Sequence, residues 1–396
     1  MNGDRLHIAL VGPLHPRALA HHLGNSVNIP DGLPTPVNEL ADALLALGHR
    51  VSVYTPLLAC GTTARLVGEN LDITFVPYRT RVRTRALDFF RVERKELEKE
   101  LKNSEADVIH VHWTYELAFA ALKSGKAPVL VTAHDAPLTI LRFTPDAYRL
   151  ICAAMAVRTR FAIRELTAVS PYLAHRWRLE MFYRRPISVI PNIVPDLPAA
   201  AASTVRSRWL ILDVADGGPR KNVRNLIRAF ALVLKRYPQA ELRLVGDGLA
   251  AEDPIAEWAR SQQLDVNVTF VGRVNRAEIA TEYARASVFC HPSLEESHGV
   301  SIIEALDAGL PVIAGESSGG VPWVLFDGQA GKLVDVRDPI AIAAAISDAL
   351  GDPSSTVGSG FDVARAVTDR YGPNVVAAAY LAEYRRIIEE DQSNDR

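Results

Sequence analysis

The segment 294–315, LEESHGVSIIEALDAGLPVIAG, sets two glutamates eight positions apart, Glu296 and Glu304, around a glycine and a mostly apolar run. Ile302, Ile303 and Leu306 recur at helical spacing, which predicts a helix starting near Gly299. The run PVIAG at 311–315 then reads as a buried strand. A polar loop, a glycine, a helix and an apolar strand in succession are the parts of an α/β sheet.

The first amides of such a helix are unpaired and partly positive, so they favour an anion. Gly299 lets that anion approach the backbone, because no Cβ intervenes. Helix side chains lean toward the N-terminus, so Glu304 reaches back to the same ligand end and Glu296 approaches from the loop. Carboxylates repel phosphate and are expected to accept hydrogen bonds from hydroxyls instead. A nucleoside diphosphate sugar, with phosphates in the middle and hydroxyls at both ends, fits the pattern. The competing reading makes Glu304 and Asp307 the wet face of a helix buried through Ile302, Ile303 and Leu306.

A second stretch points the same way. GGPRKNVRNLIRAFALVL (217–234) places Arg220 and Lys221 before a helix with Asn222 as its expected N-cap. Cations there oppose the helix dipole at a cost of up to ~1 kcal/mol, which an anionic partner would offset. A solvated basic turn is the alternative. Two anion-suited helix starts favour a diphosphate.

Outward from these segments, apolar strand-like runs alternate with helical patterns. LHIALVG, RVSVYT, DITFVPY, DVIHVH, PVLVTA, ELTAVS and ISVIPN fall in the first half. WLILDVA, LRLVGDG, VTFVGR, ASVFCH, PVIAG and GKLVD fall in the second. Continuous rather than alternating apolar runs suggest parallel strands covered on both faces, hence two doubly wound α/β domains. Ligands are expected at the carboxyl ends of the strands, in a cleft between the lobes. The Pro-, Ala- and Ser-rich stretch near 191–207 reads as the link. This gives a first domain at 1–192, a linker at 193–207, a second domain at 208–370 and a closing helical segment at 371–396.

Lys plus Arg (44) nearly balances Asp plus Glu (46), which gives no electrostatic case for nucleic acid. No apolar stretch approaches a membrane span, and the N-terminus is too briefly apolar for a secretory signal. Cys60, Cys152 and Cys290 fit neither a disulfide framework nor a metal knuckle, so a cytoplasmic setting is expected.

The E-x7-E element in its HPSLEESHGVSIIEALDAGLPVIA setting resembles the retaining glycosyltransferases of family 4. ADVIHVH, VTAHD, SVIPN, RKN, LRLVGDG and VTFVGR follow that family's order, and the resemblance covers most of the chain. It implies the GT-B architecture, two facing Rossmann-like domains with a final helix crossing back to the first. It also implies a nucleotide-sugar donor, UDP before GDP. Glu304 would bind the ribose and Glu296 the transferred sugar. The backbone at Gly299, Val300 and Ser301 would hold the diphosphate, with Lys221 neutralising it and Arg220 and His298 alongside. Gly272 and Arg273 would lie near the base. His134 would approach the reaction centre, while Gly32, with Asp31, Asn38 and Asp135, would line the donor and acceptor loop. No Asp-x-Asp motif stands in the expected setting, so no divalent metal is expected.

The chain departs from the family pattern in four places. Asp31 replaces the first of two glycines, and Asp216 stands where many relatives have an arginine. Glu296-Ser297-His298-Gly299 replaces Glu-Gly-Phe-Gly, and Trp323 takes a glutamate's place. His110 and His112 share a strand face, with no third metal ligand in evidence. His21 and His22 are further acceptor-side candidates. Arg79, Arg81, Arg83, Arg85, Arg91 and Arg94 would hold an anionic acceptor, touch an acidic membrane surface, or simply be solvated. A hexose transferred to a small natural-product or aminocyclitol acceptor is the preferred reading. A lipid or polysaccharide acceptor with a GDP-mannose-type donor is an alternative, as is a nucleotide-sugar epimerase or an inactive binding protein.

Overall fold

Nearly every apolar run becomes a strand. The computed structural model describes residues 5–24, 29–30, 32, 35–58, 61–199 and 204–394. By contacts the chain divides into residues 1–193 with 371–396, and residues 194–370. Asp31 and Cys60 lie outside the described residues.

The first unit contains β1 (His7–Val11), β2 (Arg50–Leu58), β3 (Ala64–Val67), β4 (Leu71–Tyr78), β5 (Val108–His112), β6 (Val129–Ala133), β7 (Glu165–Ala168) and β8 (Ile187–Val189). They form one sheet in the order β3-β4-β2-β1-β5-β6-β7-β8. All pairings are parallel except β3 with β4. The sequence reading missed β3, whose four residues are mostly exposed. An exposed edge strand carries no apolar run to betray it.

The second unit contains β9 (Leu210–Val214), β10 (Glu241–Val245), β11 (Val268–Gly272), β12 (Val288–His291), β13 (Val312–Gly315) and β14 (Lys332–Val334). Its sheet runs β11-β10-β9-β12-β13-β14, all parallel. Counted within the unit this is the order 3-2-1-4-5-6 of a doubly wound nucleotide-binding sheet. The order reverses between β9 and β12, and ligands of such sheets sit where the chains leaving those two strands part. In the first sheet the reversal lies between β1 and β5.

The helix Pro373–Asn394 packs back on the first unit, as the GT-B resemblance implies. Val376, Ala377, Tyr380, Leu381, Tyr384 and Ile387 enter the core beside Leu40 and Leu44 of the helix Pro36–Ala46. Tyr384 is also fixed by a polar contact, its hydroxyl lying 2.6 Å from His110 Nδ1. Among the described residues no helix is long and apolar enough to cross a membrane.

Candidate active site

At the reversal point of the second sheet, the turn after β9 carries Arg220 and Lys221, and the loop after β12 carries Glu296. Glu296 is buried, and its Oε1 accepts a hydrogen bond from Lys221 Nζ at 2.5 Å. Arg220 Nη1 reaches Glu296 Oε2 at 3.2 Å and the Glu295 carbonyl at 2.6 Å. His291, the last residue of β12, lies with Nε2 3.0 Å from Glu296 Oε1 and Nδ1 2.8 Å from Asp213 Oδ1. Burial pushes the Glu296 carboxyl upward, but Lys221, His291 and Arg220 together outweigh it and hold the group well below the usual carboxylate range. Glu296 is therefore an ionised carboxylate at neutral pH.

Asn222 occupies the position expected of it but does not cap the helix Val223–Val233 with its side chain. It adopts a left-handed backbone, with φ 56° and ψ 27°. Its amide donates instead to the Pro292 and Val336 carbonyls, tying the basic turn to the loop after β12. That loop is further fixed by Gly320 N–H donating to the Glu296 carbonyl at 2.7 Å.

The predicted helix start is present. Gly299 precedes the helix Val300–Asp307 with φ 78°, a left-handed conformation that glycine adopts without strain. Among the described residues the Val300 and Ser301 amides donate no backbone hydrogen bond, which leaves them suited to an anion. Glu304 Oε2 accepts from the Tyr283 hydroxyl at 2.9 Å, and burial beside Glu304 pushes that phenol well up. His298 is buried, its ring 6.0 Å from Trp323. Gly272 is also left-handed, with φ 75°, and packs on Ala250. Arg273 is exposed and faces Asp247 at 3.5 Å. Lys221, Arg220, Glu296 and His291 thus form one cluster, and Arg273 sits apart from it in a surface pair.

In the first unit, residues around the β1–β5 reversal line a cavity of about 560 Å³. Gly32 and Asp135 are on its wall. A Cβ on Gly32 would come within 2.0 Å of the Leu14 carbonyl oxygen, so only glycine fits. Asp135 accepts from the Tyr115 hydroxyl at 2.7 Å. Asn38 spends its amide locally, donating to the His15 carbonyl and accepting from the His15 and Thr35 amides. It fixes the loop ahead of Pro16 and is not on the cavity wall. His21 and His22 share Asp42 Oδ1 at 3.1 and 2.8 Å, also away from the wall.

His134 Nε2 lies 2.8 Å from His112 Nδ1. His112 Nε2 is buried without a hydrogen-bond partner among the described residues. An orphaned acceptor costs less than an orphaned N–H, so His112 carries its proton on Nδ1 and donates it to His134. Burial lowers the His134 pKa to about 3, which keeps the ring neutral at physiological pH. His110 is buried, with Nδ1 2.6 Å from the Tyr384 hydroxyl and Nε2 2.7 Å from the Thr132 hydroxyl.

The six arginines divide by role. Arg79 is bound by Glu93 and Asp88, and Arg94 lies over the Phe119 ring at 4.5 Å. Arg81, Arg83 and Arg91 are exposed. Arg85 is 7% exposed, lines the cavity 4.4 Å from the Tyr78 ring, and its Nε has no hydrogen-bond partner among the described residues. Arg149 joins it on the wall. Glu116, also on the wall, accepts from the Tyr78 hydroxyl at 2.5 Å, and burial raises its carboxyl pKa despite that bond.

Sequence reasoning missed Asp213, His291, Glu116 and Tyr78. For Asp213, His291 and Tyr78 the available signal was a polar residue inside or ending an apolar strand run, as in WLILDVA, ASVFCH and DITFVPY, whereas Glu116 opens the helix Glu116–Ser124. At the carboxyl end of a parallel strand, such a residue faces the ligand side of the sheet.

Two family models match in tandem: Glycosyltransferase Family 4 over residues 30–196 and Glycosyl transferases group 1 over residues 201–357. A phosphatidyl-myo-inositol mannosyltransferase of Mycolicibacterium smegmatis is 29% identical over 91% of this chain and 92% of its own length. A D-inositol 3-phosphate glycosyltransferase of Kineococcus radiotolerans is 33% identical over 49% of each chain. Among solved structures, sucrose-phosphate synthase from Thermosynechococcus elongatus superposes with a TM-score of 0.77 at 20% identity, covering 98% of this chain and all of its own. With both sheets, the returning helix and two consecutive family matches in agreement, the chain belongs to the family 4 retaining glycosyltransferases of GT-B fold and is a hexosyltransferase.

Proposed function

We propose that the chain transfers a hexose, mannose before glucose or N-acetylglucosamine, from a nucleoside diphosphate sugar to a hydroxyl of a phosphorylated inositol lipid. The observation that carries the reading is the first unit's cavity. Arg85 and Arg149 offer guanidinium forks to a phosphate, while Glu116 and Asp135 offer acceptors to ring hydroxyls. Leu57, Leu58 and Phe75 supply apolar wall for the rest of the acceptor. The names of the two relatives share a phosphorylated inositol.

This acceptor displaces the small natural-product or aminocyclitol acceptor preferred from sequence. Leu87 is 73% and Phe89 50% exposed, next in sequence to the exposed Arg81, Arg83 and Arg91. Apolar side chains among cations suit an anionic lipid surface. Periodicity did not reveal them, because the helix Val82–Leu87 is under two turns long.

In this reading the sugar–diphosphate bond breaks while the acceptor hydroxyl attacks the same face of the sugar carbon. The acceptor's proton passes to a donor phosphate oxygen. Lys221, Arg220 and the amides at 299–301 stabilise the charge gathering on the leaving diphosphate. Glu296 and Glu304 hold sugar and ribose hydroxyls.

The test offers the purified protein GDP-mannose, UDP-glucose and UDP-N-acetylglucosamine in turn. Each is paired with phosphatidylinositol vesicles, a soluble inositol phosphate, inositol, or an aminocyclitol. Nucleoside diphosphate release is expected to depend on the phosphorylated inositol and to be fastest with the lipid. Arg85→Gln is expected to raise the acceptor KM about tenfold to a hundredfold, the loss of one charge-assisted hydrogen bond, with the donor KM unchanged. Equal turnover with the unphosphorylated acceptors sinks the reading, and turnover needing no acceptor points to the epimerase.

A further inference from the structure

We infer that His291, clamped by Asp213, is a positioning residue for Glu296: as a doubly protonated imidazolium it holds that carboxylate in its working orientation. The inference rests on Glu296 serving the donor sugar. Both ring nitrogens of His291 face carboxylate oxygens, Asp213 Oδ1 at 2.8 Å and Glu296 Oε1 at 3.0 Å. A neutral imidazole has one N–H and would set a bare lone pair against one of these carboxylates. Two protons satisfy both contacts. The site also has the charge to support a cation, since Asp213 and His291 are each shielded from solvent.

Asp213 has no other evident task. It sits fully buried within β9, and its Oδ2 has no hydrogen-bond partner among the described residues. A buried carboxylate left half satisfied calls for an explanation, and its explanation here is the charge it presents to His291. Burial works against the His291 proton, and Asp213 with Glu296 more than offsets it, so the ring's pKa lies above its ordinary value of 6.5.

The other groups around the ring fit this arrangement. Lys221 lies beyond Glu296 and weakens the proton's hold without bonding the ring. Arg220 reaches only the far oxygen of Glu296. Cys290, next on β12, stays a neutral thiol, because burial and then Asp213 push its pKa well up. Phe289 stacks 6.0 Å away, nearly parallel to the ring. Lys221 and His291 both hold Oε1 and Arg220 holds Oε2, so three cationic side chains fix the orientation of the Glu296 carboxylate.

The consequence is an alkaline limit to catalysis. As pH rises through the raised His291 pKa the ring loses a proton, one clamp contact is lost, and kcat falls. The same linkage gives stability that is complete below about 6.5 and declines as pH rises through the folded value.

Side-chain nitrogen NMR on the wild-type protein reads the ring directly and is expected to show both nitrogens of His291 protonated at neutral pH. Asp213→Asn is expected to move the alkaline limb of the kcat profile acidward by about one unit or more. His291→Gln retains an N–H toward Glu296 and is expected to abolish that limb at a cost of about tenfold in kcat. A singly protonated His291 at neutral pH overturns the inference, as does an unmoved limb in folded Asp213→Asn protein. If no nucleotide sugar is turned over, the reading of Glu296 fails on its own, and the NMR result still decides the state of His291.

Discussion

Lys221→Met is expected to lower kcat for glycosyl transfer by about three orders of magnitude, a loss of about 4 kcal/mol of transition-state stabilisation. In the proposed reaction the leaving diphosphate gains negative charge as the sugar departs, and Lys221 is the cation assigned to meet it. Its side chain is only 12% exposed and its ammonium is already oriented by Glu296. Arg220 is expected to compensate only in part, since its Nη1 is held by the Glu295 carbonyl at 2.6 Å and by Glu296 Oε2 at 3.2 Å. Lys221→Arg is expected to recover part of the loss, because charge returns with a different geometry. In the wild type, turnover is expected to survive chelation by EDTA, since the proposed mechanism gives that charge to these cations and the helix start. Initial rates at saturating donor measure both. A loss below tenfold in the variant, or activity that vanishes in EDTA and returns with magnesium, would falsify the assignment.

Glu296→Gln is expected to separate binding from turnover. The carboxylate is the shared counter-charge of Lys221, Arg220 and His291, at 2.5, 3.2 and 3.0 Å. In the proposed reaction, neutralising it removes an acceptor for the transferred sugar and frees Lys221 and Arg220 to turn toward the diphosphate. We expect kcat to fall about a hundredfold while free nucleoside diphosphate binds several-fold more tightly. Stability is expected to drop by on the order of 3 kcal/mol, because the buried imidazolium and ammonium lose their partner. Calorimetric titration with UDP and GDP, alongside kinetics, checks the split. Parallel weakening of diphosphate binding and kcat would sink the account.

Much of the fold was readable because buried parallel strands are continuous apolar runs, and all but β3 announced themselves this way. The anion-suited start at Gly299 was likewise readable, since a glycine before a periodic helix leaves a local mark. Other features depend on what the fold brings together. Asn222 stands at a helix start in sequence, yet its amide serves carbonyls 70 and 114 residues away. Asp213 and His291 are 78 positions apart and meet only because their strands neighbour each other at the reversal of sheet order. Arg85 looked like any member of a basic stretch until burial separated it from Arg81 and Arg83. Charge is visible in a sequence, but the partner that gives a charge its task is not.

The returning helix Pro373–Asn394 also imposes an order on biogenesis. A ribosome must finish residues 194–370 before it emits the segment bearing Tyr380 and Tyr384, so the downstream lobe is free to mature while the upstream one still lacks a wall. Until that helix arrives, the core around Leu40 and Leu44 lacks Tyr380, Leu381 and Tyr384, and His110 lacks its Tyr384 partner, which is expected to leave a window for a chaperone to hold.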